Sequence, residues 1–233
     1  MSKILGITCS LRNARFGKGS DNLVKEIKSL ETEGDLINFL QKETKIRTND
    51  FFEAGRKENL PFDQIFRNLQ KCKGDRGLSN SEAALVAGLW GAHKEGVEIQ
   101  HVGLGEFYPM SGAARNLDKL KQLILSADAI LLSGPVYFGD RGSLAQQFIE
   151  LIQQDSELKA SIRNKVYGGI AVGAKRNGGQ ETTLIYQMID MANLNMLIVG
   201  NNSETTAQYG GTAKAGDIGS LWEDDYGIKT SIG

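Results

Sequence analysis

Apolar runs that alternate with helical patterns predict an α/β protein built on a doubly wound parallel sheet. Three observations carry this. Short apolar runs recur at Lys3–Thr8, Val97–Val102, Ala129–Leu132, Val166–Val172 and Met196–Val199, and the segments between them are long enough for right-handed crossovers. Several of those segments show helical spacing. Loops rich in glycine and hydroxyl side chains follow the first, third and fourth runs, which gathers them at the C-terminal edge of the sheet, where open α/β sheets bind ligands.

The first run ends in Cys9-Ser10-Leu11-Arg12, polar and small enough for a turn. A simple βαβ unit would place its helix here, yet the best sheet-packing helix is Ser81–Glu95. Ser79 and Glu82 have capping-box spacing, while Ala83, Ala84, Ala87, Gly88, Gly91 and Ala92 give a small-residue face suited to close approach. Gly96 stands where a left-handed C-cap is expected. The charged stretch 13–78 therefore reads as a helical insertion, with patterns near Asp21–Leu30, Gly34–Glu43 and Pro61–Lys71, the last with Pro61 at its first turn. Ser20-Asp21-Asn22-Leu23 is an alternative start for the first sheet helix.

Further on, Leu117, Leu120, Leu123 and Ile124 give a helix ahead of the Ala129–Leu132 strand, and Ser143–Gln154 gives another after it. Between them lies Ser133-Gly134-Pro135-Val136-Tyr137-Phe138-Gly139-Asp140, a buried strand opening onto a loop with two aromatics. A helix over Glu181–Ala192 leads to the fifth strand. The last stretch, 203–233, has no clear period and reads as ordered loop or tail, so the expected organisation is one domain over 1–233 carrying the 13–78 insertion.

Composition narrows the classes. With 27 basic and 28 acidic residues the net charge is -1, which provides no footprint for nucleic acid or an anionic membrane. No stretch approaches the roughly 20 apolar residues of a membrane span. Two cysteines, Cys9 and Cys72, argue against a disulfide scaffold or a metal cluster held by this chain alone. A soluble protein of the reducing cytoplasm is expected.

Each loop has a chemistry and a plainer alternative. Ser10 and Arg12, with Asn80 and Ser81 at a helix start, suit a phosphate monoester, because orphan N–H groups and the helix dipole favour an anion. A serine-rich cap beside a surface arginine is also common in any fold. Pro135, Val136, Tyr137 and Phe138 offer a flat apolar wall beside Gly139, although an isolated aromatic pair more often covers a core. Two adjacent glycines before Gln180 and Glu181 form the third loop, where Glu181 serves equally well as a helix cap. His93 and His101 read as ordinary helix and strand residues.

Taken together, Ser10-x-Arg12, the Ser133–Gly139 motif and Gly178-Gly179-Gln180-Glu181-Thr182-Thr183 resemble the flavodoxin-like FMN oxidoreductases, in particular the iron–sulfur flavoproteins and related NAD(P)H:quinone reductases. The likeness covers Lys3–Thr8, Arg12 and then Ser79–Gly200 almost continuously. It implies a flavodoxin-like, doubly wound, five-stranded sheet, FMN at its C-terminal edge, NAD(P)H as co-substrate, a quinone or other small-molecule electron acceptor, and a homodimer or homotetramer. By the same resemblance Ser10, Arg12, Asn80 and Ser81 hold the phosphate; Pro135, Val136, Tyr137, Phe138 and Gly139 line one side of the isoalloxazine; and Gly173, Ala174, Asn177, Gly178, Gly179 and Gln180 hold its other edge.

The chain also departs from those families. No cysteine cluster lies in Gly103–Asn116, and Asn177 and Leu194-Asn195 stand where quinone reductases carry histidine. An electron-carrier module serving a protein partner and an interaction domain without cofactor remain as alternatives, the former disfavoured by the near-neutral charge.

Overall fold

The computed structural model describes residues 2–71, 74, 76–110, 112–202, 208–216 and 219–233. Strand β1 (Lys3–Thr8) is followed by helices α1 (Lys18–Ser29), α2 (Glu33–Phe51, continued by a π-helical turn over Phe52–Arg56) and α3 (Phe62–Lys71), all within the 13–78 stretch. The chain then runs through α4 (Asn80–Lys94), β2 (Glu98–Gly103), α5 (Leu117–Ser126), β3 (Ala129–Tyr137), β4 (Asp140–Arg141), α6 (Ser143–Gln154) and α7 (Ser156–Ser161). It closes with β5 (Val166–Gly173), α8 (Gln180–Asn193), β6 (Leu197–Ile198), β7 (Gly211–Lys214) and α9 (Asp225–Ile232).

The main path of the sheet is β2-β1-β3-β5-β6, the expected doubly wound order, with β4 hydrogen-bonded to β3 and β7 to β5. Apolar side chains alternate between the faces. Leu5, Ile7, Ile130 and Leu132 pack with Leu120, Phe148, Leu158 and Met191 from α5 to α8, whereas Ile170, Val172 and Ala213 pack with α1, α2, α4 and α9. Helix α4 is buried nearly all round, as expected of a helix apolar on every side. Its small residues set the approach: a Cβ on Gly88 would come within 2.7 Å of the Leu131 side chain, and one on Gly91 within 2.4 Å of the Ile232 carbonyl. The Ser79–Glu82 capping box is present, and Gly96 has φ 79°. The alternative start near Ser20 is realised too, but in α1, which packs on edge strand β2 while α4 covers β1 and β3.

Two expectations change. The fifth strand pairs only over Leu197 and Ile198, opposite Val166 and Tyr167. The rest of that sheet edge is completed by β7, opposite Ile170–Gly173. Of the stretch expected as loop or tail, residues 203–207 and 217–218 lie outside the described residues, but the remainder supplies β7 and α9. A single four-residue strand and an eight-residue helix are too short to show a period. They are ordered because the face of the sheet beside α4 would otherwise expose Ile170 and Val172, which they help to bury.

Candidate functional site

At the C-terminal edge of the sheet, the loops after β1, β3 and β5 and the N-terminus of α4 surround a cleft of about 260 Å³. Ser10, Arg12, Asn80 and Ser81 line its polar end. Pro135, Val136 and Tyr137 form one wall, and Val172, Gly173 and Ala174 the floor toward β5. The sequence-based set is thus brought together at nine positions. The structure adds Val172, Ala215 and Gly216, the last two delivered by β7. Nothing in the short Gly211–Lys214 pattern marked that strand, so its contribution was not legible.

The polar end is assembled by hydrogen bonds around the first turn. Asn13 N–H donates to the Ser10 carbonyl at 3.3 Å, closing a turn over Ser10–Asn13, and the Arg12 N–H donates to Ser10 Oγ at 3.1 Å. The hydroxyls of Thr8 and Ser79 both donate to Asn13 Oδ1, at 3.2 and 2.8 Å, which fixes this turn to the cap of α4. Ser79 Oγ also accepts from Glu82 N–H at 3.2 Å. The cap residue is therefore occupied, whereas Asn80 and Ser81 face the cleft at the positive end of a 15-residue helix. Asn80 Oδ1 is buried with no hydrogen-bond partner among the described residues. Because the ends of an amide exchange by a half-turn, that side chain has unused capacity to donate or accept. Ser20 lies elsewhere: its hydroxyl donates to the Arg15 carbonyl at 3.2 Å and sits 3.1 Å from His101 Nδ1.

Beneath this end, His101 is no ordinary strand residue. Its Nε2 is 3.2 Å from Glu82 Oε1, with both side chains fully buried. The signal was the Glu82 capping position, which reaches the second strand only once the sheet is assembled. Cys9 is also buried, and burial pushes its thiol up, far from a reactive thiolate.

The opposite wall is a hairpin. Tyr137 pairs with Asp140 and Val136 with Arg141, around a two-residue turn in which Phe138 has φ 53° and Gly139 φ 80°. Pro135 is tolerated inside β3 because β1 pairs no further than Ser133, leaving that side of the strand without a ladder to feed. Phe138 projects entirely into solvent and does not line the cleft. Its position at the tip of the turn, invisible in a continuous aromatic motif, is the reason.

Gly139, Asn177, Gly178, Gly179 and Gln180 likewise do not line the cleft: Asn177 and Gly178 are exposed, Gly139 and Gly179 half-buried and Gln180 buried. Gly178 N–H donates to Gln180 Oε1 at 2.7 Å, and Gln180 Nε2 donates to the Lys175 carbonyl at 2.8 Å and to the Ala213 carbonyl at 3.1 Å. This amide closes its own loop and ties it to β7. Gly179, at φ 101°, abuts the hairpin so closely that a Cβ there would lie 2.7 Å from Gly139 Cα. Arg176 donates to the Thr212 carbonyl at 2.9 Å, pairs with Asp224 and lies 4.8 Å over the Tyr226 ring, while Arg141 pairs with Asp190 of α8. Asn177 and Asn195 both adopt left-handed backbone, at φ 57° and 61°, which asparagine tolerates well.

Among the described residues no group of three or more His, Cys, Asp or Glu is placed to hold a metal ion, and no helix is long and apolar enough to cross a membrane. Cys72 lies outside the described residues.

Comparison with known proteins matches residues 76–209 to the family described as NADPH-dependent FMN reductase. An iron–sulfur flavoprotein of Methanocaldococcus jannaschii is 34% identical over 153 residues, covering 59% of this chain and 77% of the relative. An NAD(P)H dehydrogenase (quinone) of Bradyrhizobium diazoefficiens is 29% identical over 160 residues, covering 60% and 79%. Among solved structures, the Trp repressor binding protein from Bacillus subtilis superposes with a TM-score of 0.50 at 12% identity, over 98% of this chain and 95% of that one.

Proposed function

The chain belongs to the NADPH-dependent FMN reductase family, and on that premise we propose that its FMN lies in the cleft at the C-terminal edge of the sheet and passes electrons to a quinone or similar small acceptor. It is an FMN-dependent NAD(P)H oxidoreductase. The observation that carries the placement is the meeting, around one cleft, of a polar end at a helix N-terminus with an apolar, aromatic wall.

The residues present fit the cofactor. Ser10, Arg12, Asn80 and Ser81 supply hydroxyl, guanidinium, amide and helix-terminal N–H groups for a phosphate, and the buried end of the Asn80 amide, unpartnered among the described residues, is the kind of group that a ligand satisfies. Pro135, Val136 and Tyr137 offer a flat surface for the ring system, with Gly173 and Ala174 allowing close backbone approach on the other side. FMN supplies the hydride and electron chemistry when bound, so the protein's task is orientation and control of access. Tyr137, 42% exposed at the rim, shields one side from water. With asparagine at 177 and 195, proton delivery by histidine at those positions is not available, and we assign the acceptor's proton to solvent. Two cysteines are too few for a four-cysteine cluster held by this chain alone.

A homodimer or homotetramer belongs to the same reading. Helix α8 exposes Ile185, Tyr186 and Ile189, and Leu197 of β6 and Val199 just after it are exposed beside them, an apolar edge suited to a second copy. Light scattering on the purified chain should report two or four copies, and Ile189→Lys should shift it toward monomer.

The deciding experiment is titration of the flavin-free chain with FMN, followed by stopped-flow mixing with NADH or NADPH and then with a benzoquinone. FMN binding with direct reduction by a nicotinamide and reoxidation by the quinone is expected. Flavin reduced only through a partner reductase would replace the reading with an electron carrier. Asn80→Ala and Ser81→Ala together should weaken FMN binding, and unchanged affinity would place the cofactor elsewhere.

A further inference from the structure

The family match begins at residue 76, so α2 lies outside it, yet one face of that helix reaches the cleft's polar end. Glu43, Arg47 and Phe51 stand at i, i+4 and i+8, a single stripe, and all are buried. Glu43 accepts from Arg15 Nη2 and from Gly77 N–H, each at 2.6 Å, so it joins the segment after β1 to the segment before α4. Arg47 donates from Nε to the Arg12 carbonyl at 2.5 Å and from Nη2 to the Asn13 carbonyl at 2.9 Å, while Nη1 meets Asp50 at 3.3 Å. Phe51 lies under the Arg12 guanidinium, 4.5 Å from ring centroid to Cζ.

We propose that Arg47 is a positioning residue for the cofactor's phosphate: by holding the last two carbonyls of the Ser10–Asn13 turn toward α2, it keeps them away from the anion and presents Ser10 and Arg12 to it. This rests on the placement of FMN given above. A planar guanidinium suits the task because its fork can engage two carbonyls at once, whereas an ammonium is a single point of charge. Phe51 completes the arrangement by fixing the plane of the Arg12 head through cation–π contact. The helical excursion is on this view the backing of the phosphate wall.

The test compares FMN with riboflavin, which lacks the phosphate, by quenching of flavin fluorescence on the full chain. In Arg47→Met the preference for FMN over riboflavin should fall by about tenfold or more, with riboflavin affinity held within about twofold, since two charge-assisted hydrogen bonds are lost. Arg47→Lys should recover part of the preference by engaging one carbonyl. Circular dichroism melts identify the folded variants; if Arg47→Met does not fold, Arg47→Lys carries the measurement. A folded variant with unchanged preference overturns the proposal. So does a variant that loses both flavins equally, which marks a structural role only. Arg12→Ala and the Asn80→Ala, Ser81→Ala pair are measured alongside. If they leave the preference unchanged, the phosphate placement fails and this proposal falls with it; if they lower it while Arg47 variants do not, only this proposal falls.

Discussion

The two sides of the cleft are held by different physics. On the polar side, buried polar side chains hold the segments together: Arg47 binds the carbonyls of the first turn, Glu43 accepts from the Gly77 N–H, and the Ser79 hydroxyl donates to the Asn13 side chain. On the aromatic side the hairpin and the 173–180 loop meet backbone to backbone at Gly139 and Gly179, and one amide, Gln180, closes the loop internally. A wall built from charged hydrogen bonds keeps its shape only while every partner is present. A wall built from glycine contact depends on the absence of side-chain volume.

The hardest way to break the first side is to remove a charge. Glu43→Ala leaves Arg15, fully buried, with the half-exposed Glu26 as its one carboxylate among the described residues, and deprives Gly77 N–H of its acceptor. Urea unfolding should show a loss of about 3 kcal/mol, the scale for stripping one partner from a buried pair. The second side breaks by addition. Gly179→Ala puts a Cβ into the Gly139 backbone at a left-handed φ and should cost about 2 kcal/mol, with the hairpin displaced in a crystal structure.

Alkaline pH should weaken both sides. Burial pushes up the Cys9 thiol, and burial with the nearby Cys9 pushes up the Tyr167 hydroxyl, so the native state keeps protons that the unfolded chain releases. Stability should therefore be unaffected below about pH 8 and decline above about 8.5, by at most about 1.4 kcal/mol per pH unit for each group. Urea midpoints from pH 7 to 11 test this, and Cys9→Ala should remove the earlier onset while leaving the Tyr167 decline above about pH 10. Ser79→Ala, which deletes the α4 cap, should lower stability by about 1 kcal/mol in the same assay.

The smallest effect has the opposite sign. Phe138 is wholly exposed and left-handed, so Phe138→Asn should raise stability by about 0.5 kcal/mol, because asparagine accepts that backbone more readily. A loss on this substitution would show that the ring makes a contact that stabilises the hairpin, and the contrast between the two walls would narrow.

Much of this was legible beforehand where residues act through near neighbours. The Ser79–Glu82 box, Gly96 at its cap, the small-residue face of α4 and the strand runs all declared themselves, because capping and periodicity are local. Motif spacing also found most of the cleft, since loops at strand ends must gather at one sheet edge. It also included Phe138, Gly139 and Asn177 to Gln180, which do not line the cleft. A motif gives residue order, but whether a side chain points into a cleft or supports it depends on the turn.

What the sequence determined by itself is the succession of the five main strands and the crossover helices between them, and hence the edge at which the ligand loops gather. The tertiary structure alone decided that the last strand position is shared by β6 and β7, that α9 closes one face, and that Glu43, Arg47 and Phe51 back the polar wall. The reason is distance along the chain. Arg47 lies 35 residues from the turn it holds and Glu43 34 from Gly77, and such pairings leave no periodic trace, because they form only when the sheet has already brought their partners together.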